Sequence, residues 1–273
     1  MLFTKMGAMG LGRGALSGKG AIVTGAGRGI GKDLARALAW LGAGVVIAEI
    51  SDSGSLSERQ IRDEGGSAIF VPTDVSSEKD MERLKGESLG AYGRVDILVN
   101  NAIVMFFGNI CDLPQEAWER TFAVNVQGAV LGIRNFLPEM LDRREGTIVT
   151  VTSAEGMPYY APYFASKRAL RSLALSLAAE LGEDAGVSSF CFAPGMVDTP
   201  GGSEAFRKLA DAYGMTYEEF TNQGVNPGYE GLMPSEDCAA GFAFTIVHAR
   251  HYHGQVADPF RPLDQAGLLR GGG

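Results

Sequence analysis

Apolar residues recur along this chain in two rhythms. Short runs read as buried strands: Ile22 to Thr24, Val45 to Glu49, Ala68 to Pro72, Val95 to Asn100, Thr147 to Ser153 and Val187 to Ala193. Between them the spacing turns helical. Leu34, Ala37, Leu38 and Leu41 form one buried stripe after the first run, and Leu170, Leu173, Ala174, Leu177, Ala178 and Leu181 form another before the sixth. A polar helix is predicted over 55–64, a long helix over 116–134, and a last strand over 254–257.

Strand and helix alternate, which implies parallel pairing through right-handed crossovers. The predicted fold is therefore α/β: a three-layer, doubly wound (Rossmann) parallel sheet of about seven strands in a single domain. The expected strand order is 3-2-1-4-5-6-7, reversing beside the first strand to open a crevice for a ligand. No linker or repeat divides the chain, so the domain is placed at 18–260. Residues 1–17, Gly-rich with Lys5 and Arg13, read as a flexible arm, and 261–273 as a C-terminal tail ending in three glycines. Residues 200–233, with Phe206, Leu209, Tyr213, Met215, Tyr217 and Phe220, read as a lid over an apolar pocket, or more plainly as two short surface helices.

Composition narrows the function classes. The 273 residues carry a net charge of −8, which disfavours nucleic acid and anionic membrane as partners, and no apolar run suits a signal peptide or membrane span. Three cysteines, an odd number, fit reduced thiols in a cytoplasmic protein better than a disulfide framework. His248, His251 and His253 lie close together, but their spacing does not put all three on one helical face and no carboxylate accompanies them, so no metal is expected.

Chemistry gathers at strand ends. The first run breaks into Thr24-Gly25-Ala-Gly-Arg28-Gly29-Ile30-Gly31 and continues as a helix, whose N-terminus carries free N–H groups and partial positive charge suited to a pyrophosphate. Glu49 ends the second run, where a carboxylate accepts the hydroxyls of an adenosine ribose. Asp74-Val75 ends the third, where Asp74 either reaches an adenine amine or caps the next helix. Tyr163 and Lys167 stand one helical turn apart, a spacing that predicts an ammonium lowering a phenol's pKa to make a proton-transfer catalyst.

These motifs, in this order from about residue 18 to 258, resemble the classical short-chain dehydrogenases/reductases. The resemblance implies catalysis by Ser153, which holds the substrate oxygen, Tyr163 as acid/base, Lys167, which tunes it and binds the nicotinamide ribose, and Asn125, which distorts its helix and completes a proton relay. A plain hydrogen-bonded core role for Asn125 is the alternative. The resemblance also assigns Asn101-Ala102 to the cofactor, with Ile103 standing where the family usually has glycine. It packs Pro194-Gly195 on the nicotinamide and gives its carboxamide to Val197 and Thr199; a turn followed by a helix cap is the alternative there. The family usually forms tetramers, so a homo-oligomer, tetramer or dimer, is expected.

The expected activity is hydride transfer between NAD(H), favoured over NADP(H) because Glu49 repels a 2′-phosphate, and a small hydrophobic alcohol or ketone. The expected pocket lining is Val104, Met105, Phe106, Met157, Tyr159, Tyr160 and Met196, without an arginine clamp for an anionic substrate. The loop 154–162 is about three residues shorter than the resemblance suggests. A nucleotide-binding regulator of the same fold without turnover is the competing class.

Overall fold

In the computed structural model, which describes residues 1–153, 156–223 and 226–269, the strands are β1 (Gly20–Thr24), β2 (Gly44–Glu49), β3 (Ser67–Pro72), β4 (Ile97–Asn100), β5 (Gly146–Val151) and β6 (Val187–Phe192). A two-stranded parallel ribbon, β7 (Val197–Asp198) with β8 (Met233–Pro234), stands apart, and β9 (Val256–Ala257) closes the main sheet. The main order is β3-β2-β1-β4-β5-β6-β9, all parallel, so the predicted reversal beside β1 is present. Its position puts the ends of β1 and β4 side by side, with Val23 opposite Val99.

Helices cover both faces because each strand buries both of its faces. On one face lie α2 (Gly29–Trp40), α3 (Ser53–Asp63) and α10 (Ser235–Val247), whose Leu34, Leu38, Ile61, Phe242 and Ile246 join Phe190 and Phe192 in one core. The other face carries α4 (Glu78–Tyr92), α5 (Gln115–Phe122), α6 (Gly128–Arg143) and α7 (Ala161–Leu181), with Met81, Leu84, Phe136, Met140 and Leu177 packed on Ile22, Leu98 and Ile148. The helix expected over 116–134 is thus two helices, α5 and α6, joined by a π-turn at Ala123–Gln127 that contains Asn125.

Two boundaries differ from the sequence reading. The arm predicted at 1–17 is instead α1 (Leu2–Ala8) and a coil, with Leu2, Met6, Met9, Leu11 and Leu16 buried and Phe3 stacked on Trp40 at 5.5 Å. Leu2 and Met6 stand at i, i+4, a stripe too short to register as a pattern but wide enough to dock on α10. The predicted C-terminal tail begins instead as α11 (Phe260–Gln265), whose Leu263 is fully buried, while residues 270–273 lie outside the described residues.

The span 200–233 forms α8 (Pro200–Ala212), α9 (Tyr217–Thr221) and β8. A capping box at Thr216 and Glu219 fixes the start of α9. Among the described residues, no helix is long and apolar enough to cross a membrane.

Candidate active site

The crevice opens where β1, β4, β5 and β6 end, and each strand delivers one part of it. At the end of β1 the chain turns through Gly25, which has φ +65°, and a Cβ there would stand 2.8 Å from the Ala102 Cα. Only glycine lets the loop lie flat against the end of β4. The contact is locked by Asn101, whose side chain donates to the carbonyls of Thr24 (2.8 Å) and Gly25 (3.1 Å), while Thr24 Oγ1 accepts from the backbone of Asn101 and Ala102. Ile103, at the position where the resemblance leads one to expect glycine, is 39% exposed and does not disturb this latch.

Beyond the turn, α2 begins at Gly29 with no side-chain cap from Arg28, so the first-turn N–H groups of Gly29, Ile30 and Gly31 face the crevice as donors. A diphosphate fits this cradle. Glu49 closes its outer rim: Oε2 accepts from Gly27 N at 3.1 Å, and Oε1 accepts from Ser51 N and Oγ at 3.1 and 3.0 Å. The carboxylate is thereby fixed beside the glycine loop. Arg28 turns the other way, its guanidinium 3.9 Å from where a Gly201 Cβ would lie, at the start of α8.

Asp74 is more engaged than expected. Its Oδ1 accepts from Ser76 N and Oγ, and its Oδ2 pairs with Arg120 Nη2 at 3.0 Å. Burial works against the charge, but these bonds prevail and hold the carboxyl below its usual range. Asp74 is not the cap of α4; that is Ser77, which accepts from Asp80 N. Val75 is buried against Gly128 rather than open to the crevice, so any part it plays in cofactor binding runs through its backbone.

The reacting groups meet at the ends of β5 and α7. Ser153 lies two residues past β5, its hydroxyl beside the Tyr163 phenol. Lys167 is 2% exposed; its Nζ donates to Val151 O at 2.6 Å and lies 5.6 Å from the Tyr163 ring centre. The spacing predicted a phenol lowered by this ammonium, and the site shows the opposite direction. Burial raises Tyr163 to about 12 against the bond from Ser153, and burial lowers Lys167 to about 7. Desolvation disfavours both charged forms.

Asn125 supports this pair from behind. Its Oδ1 accepts from Val104 N (2.8 Å), and its Nδ2 donates to Val104 O (3.1 Å) and Ser166 Oγ (2.9 Å), which in turn donates to Tyr163 O (2.6 Å). Both amide hydrogens are committed, which meets the core alternative; a relay through Asn125 is left its backbone. The π-turn rotates this side chain inward from a helix whose neighbours Phe122 and Gln127 face out.

After β6, Gly195 turns the chain with φ +78°, and Val197 is buried in β7. Thr199 caps α8 by accepting from Gly202 N at 3.0 Å, so the cap alternative holds in the geometry. Its hydroxyl hydrogen is still free to donate, and its Cβ lies 3.2 Å from the position of a Gly29 Cβ, which joins this segment to the glycine loop. One participant escaped the sequence reading: Asn226, 3% exposed, accepts from Met196 N and donates to Met196 O and Gly231 O. Its only sequence signal is an Asn-Pro-Gly turn, which does not reveal a tertiary clamp.

Over the site, Tyr160, Leu209, Ala210 and Phe220 form a small core with Met105, Met157, Tyr159, Phe164, Met196 and Phe206 around it. Phe107 stacks on Tyr159 at 5.3 Å and meets Tyr160 edge-on. Ala154 and Glu155 of the shortened loop lie outside the described residues. The three histidines are dispersed in role, His253 bonding Ser189 N and Ala178 O while His248 lies against Phe244. A separate cavity of about 420 Å³ at the opposite ends of the strands, bordered by Lys19, Asp96 and Glu145, contains none of the catalytic candidates.

Comparison with known proteins points the same way as the geometry. Residues 19–210 match the family model described as short chain dehydrogenase. An uncharacterised oxidoreductase of Thermotoga maritima is 40% identical over 170 residues, covering 61% of this chain and 66% of that protein's length. A protein assigned as an NAD(P)-dependent gluconate 5-dehydrogenase from Beutenbergia cavernae, solved with bound NADP, is 31% identical and superposes with a TM-score of 0.79 over 93% of this chain and 98% of its own. Actinorhodin polyketide ketoreductase with NADPH is 26% identical, with a TM-score of 0.82 over 90% of this chain and 97% of that one.

Proposed function

Because the chain belongs to the short-chain dehydrogenase family, we propose that it interconverts a hydrophobic secondary alcohol and the matching ketone, with Tyr163 as general acid/base and NAD(H) as its preferred cofactor. Two of the solved structures it resembles hold NADP or NADPH; the substrate class, the cofactor choice and the residue roles are this proposal's own. One observation carries it: a half-buried phenol, Tyr163, has a serine hydroxyl on one side and the Lys167 amine on the other, at the mouth of the glycine-loop crevice.

A bound nicotinamide supplies or accepts the hydride at the substrate carbon. Ser153 donates a hydrogen bond to the substrate oxygen and fixes it near the Tyr163 hydroxyl. In reduction Tyr163 hands its proton to that oxygen as it becomes an alcohol; in oxidation it takes the proton back. A protonated Lys167 offsets the phenolate charge, and burial lowers this amine to about 7, so that it gains and loses a proton near neutrality. The pocket supports a hydrophobic substrate, since thioethers and aromatic rings dominate its lining.

Cofactor choice rests on Glu49. Its carboxylate is already anchored by two backbone N–H groups, so it cannot swing away from a 2′-phosphate, and two such charges about 4 Å apart repel by about 4 kcal/mol at a protein surface. Arg28, the basic residue of the glycine loop, has its guanidinium near the start of α8. The bound NADP of the Beutenbergia cavernae protein and the NADPH of the ketoreductase are the contrary precedent. Steady-state kinetics over hydrophobic secondary alcohols and ketones with both cofactors test the whole reading: higher kcat/KM with NAD(H), narrowed by Glu49→Ala, is expected. Tenfold higher kcat/KM with NADP(H) reverses the cofactor assignment, and activity confined to sugars or hydroxy acids reverses the substrate class.

A further inference from the structure

The N-terminal helix is connected to the crevice by polar contacts that packing alone does not require. Lys5 Nζ pairs with Asp237 Oδ2 at 2.5 Å, across the interface between α1 and α10, and the Asp237 side chain is only 5% exposed. The same oxygen accepts from Tyr229 OH at 2.9 Å. Tyr229 N donates to Asn226 O at 3.1 Å, and Asn226 clamps both backbone groups of Met196. The turn held in this way has no slack, because a Cβ on Gly195 would come within 2.8 Å of Asn226 Oδ1 and 2.9 Å of Phe260 Cζ.

We propose that Lys5 is a positioning residue for the cofactor: through Asp237, Tyr229 and Asn226 it fixes the turn Pro194–Val197 that the nicotinamide half of the dinucleotide packs against. The proposal rests on the assignment of that turn to the nicotinamide. A carboxylate as buried as Asp237 needs its cationic partner; without it the charge recruits water or a proton, and the bond to Tyr229 is the contact free to rearrange. Leu2 and Met6, both buried, account for the apolar packing of α1. The effect is therefore expected at one end of the cofactor and not at the other, since the adenosine half meets the glycine loop and Glu49 on different elements.

Direct binding of NADH and of ADP-ribose, which lacks the nicotinamide, separates the two ends without reliance on turnover. Lys5→Met should weaken NADH about fivefold or more while leaving ADP-ribose within about twofold, a coupling of the usual size for a network of packed contacts. Tyr229→Phe, which leaves the ion pair in place, should do the same and decides the matter if Lys5→Met does not fold. The double variant Lys5→Met/Asp237→Asn should recover most of the loss, because asparagine still accepts from Tyr229 and the unpaired charge is gone. Equal weakening of both ligands, no weakening in either single variant, or no recovery in the double variant overturns the proposal. Gly195→Val supplies the control on the premise: if it leaves NADH binding unchanged, the turn does not meet the nicotinamide and the proposal falls with that assignment, whereas loss there together with an unaffected Lys5→Met rejects the route alone.

Discussion

Tyr163 and Lys167 form a pair whose burial sets its pH behaviour. Tyr163→Phe removes the proton donor and should reduce kcat by about 10²–10⁴-fold, with the NADH dissociation constant nearly unchanged. Wild-type kcat in that variant would remove Tyr163 from the chemistry. Because the phenol is raised to about 12, it keeps its proton through neutrality. Reduction should then be nearly flat around neutral pH, and alcohol oxidation, which needs the phenolate, should climb as pH rises. Stability carries a second signature. Lys167 is lowered from 10.5 to about 7, so between these values the unfolded chain binds a proton that the folded one lacks, and stability increases with pH across that window. Tyr163 acts at higher pH, its folded form holding a proton between 10 and about 12 that the unfolded chain has lost, so stability declines there. Melting curves of wild type and Lys167→Met should diverge in favour of wild type from pH 7 to 10. A constant difference would mean that Lys167 stays charged in the fold.

At the scale of elements, the π-turn is where local sequence and tertiary demand part company. Asn125 lies in a stretch that reads as one helix, and nothing in its periodicity announces an extra residue in the turn. The distortion follows from what its side chain must reach: Val104 after β4 and Ser166 on α7. Asn125→Ala leaves Val104 N–H, Val104 C=O and Ser166 without these partners, and the expected loss is about 2–4 kcal/mol of unfolding free energy, read from the shift of a denaturant midpoint. A midpoint within error of wild type would show that water replaces all three bonds. The same contrast explains which parts were legible in advance. Glycines, strand-end carboxylates and the Tyr163, Lys167 turn are local patterns with a local physical cause, and the sequence places them at the ends of β1, β2 and β3 and on the first turns of α7. The helix at Leu2–Ala8, the Asn226 clamp, the Arg120 partner of Asp74 and the direction of the Tyr163 shift depend on segments distant in sequence, and no spacing along the chain encodes them.

For the whole molecule, the open question of consequence is assembly, and the outer surface of α7 bears on it. The helix buries Leu170, Ala174, Leu177 and Ala178 against the sheet and turns Ser172, Ser176 and Ala179 outward. Small side chains let a second helix approach closely, and Phe122 of the adjoining α5 stays 37% exposed. A net charge of −8 opposes association, so contact between copies would need a surface with small and apolar side chains such as these. The arrangement fits the homo-oligomer expected from the family, built by pairing α5 and α7 of one copy with those of another about a two-fold axis. Sedimentation at micromolar concentration should give a mass at least twice the 28.9 kDa of the chain. Ser176→Arg, which places a bulky cation on the stripe without entering the crevice, should shift that mass toward the monomer while cofactor binding persists. A wild-type protein that sediments as a monomer would reject the pairing, and an oligomer indifferent to Ser176→Arg would move the interface to another face.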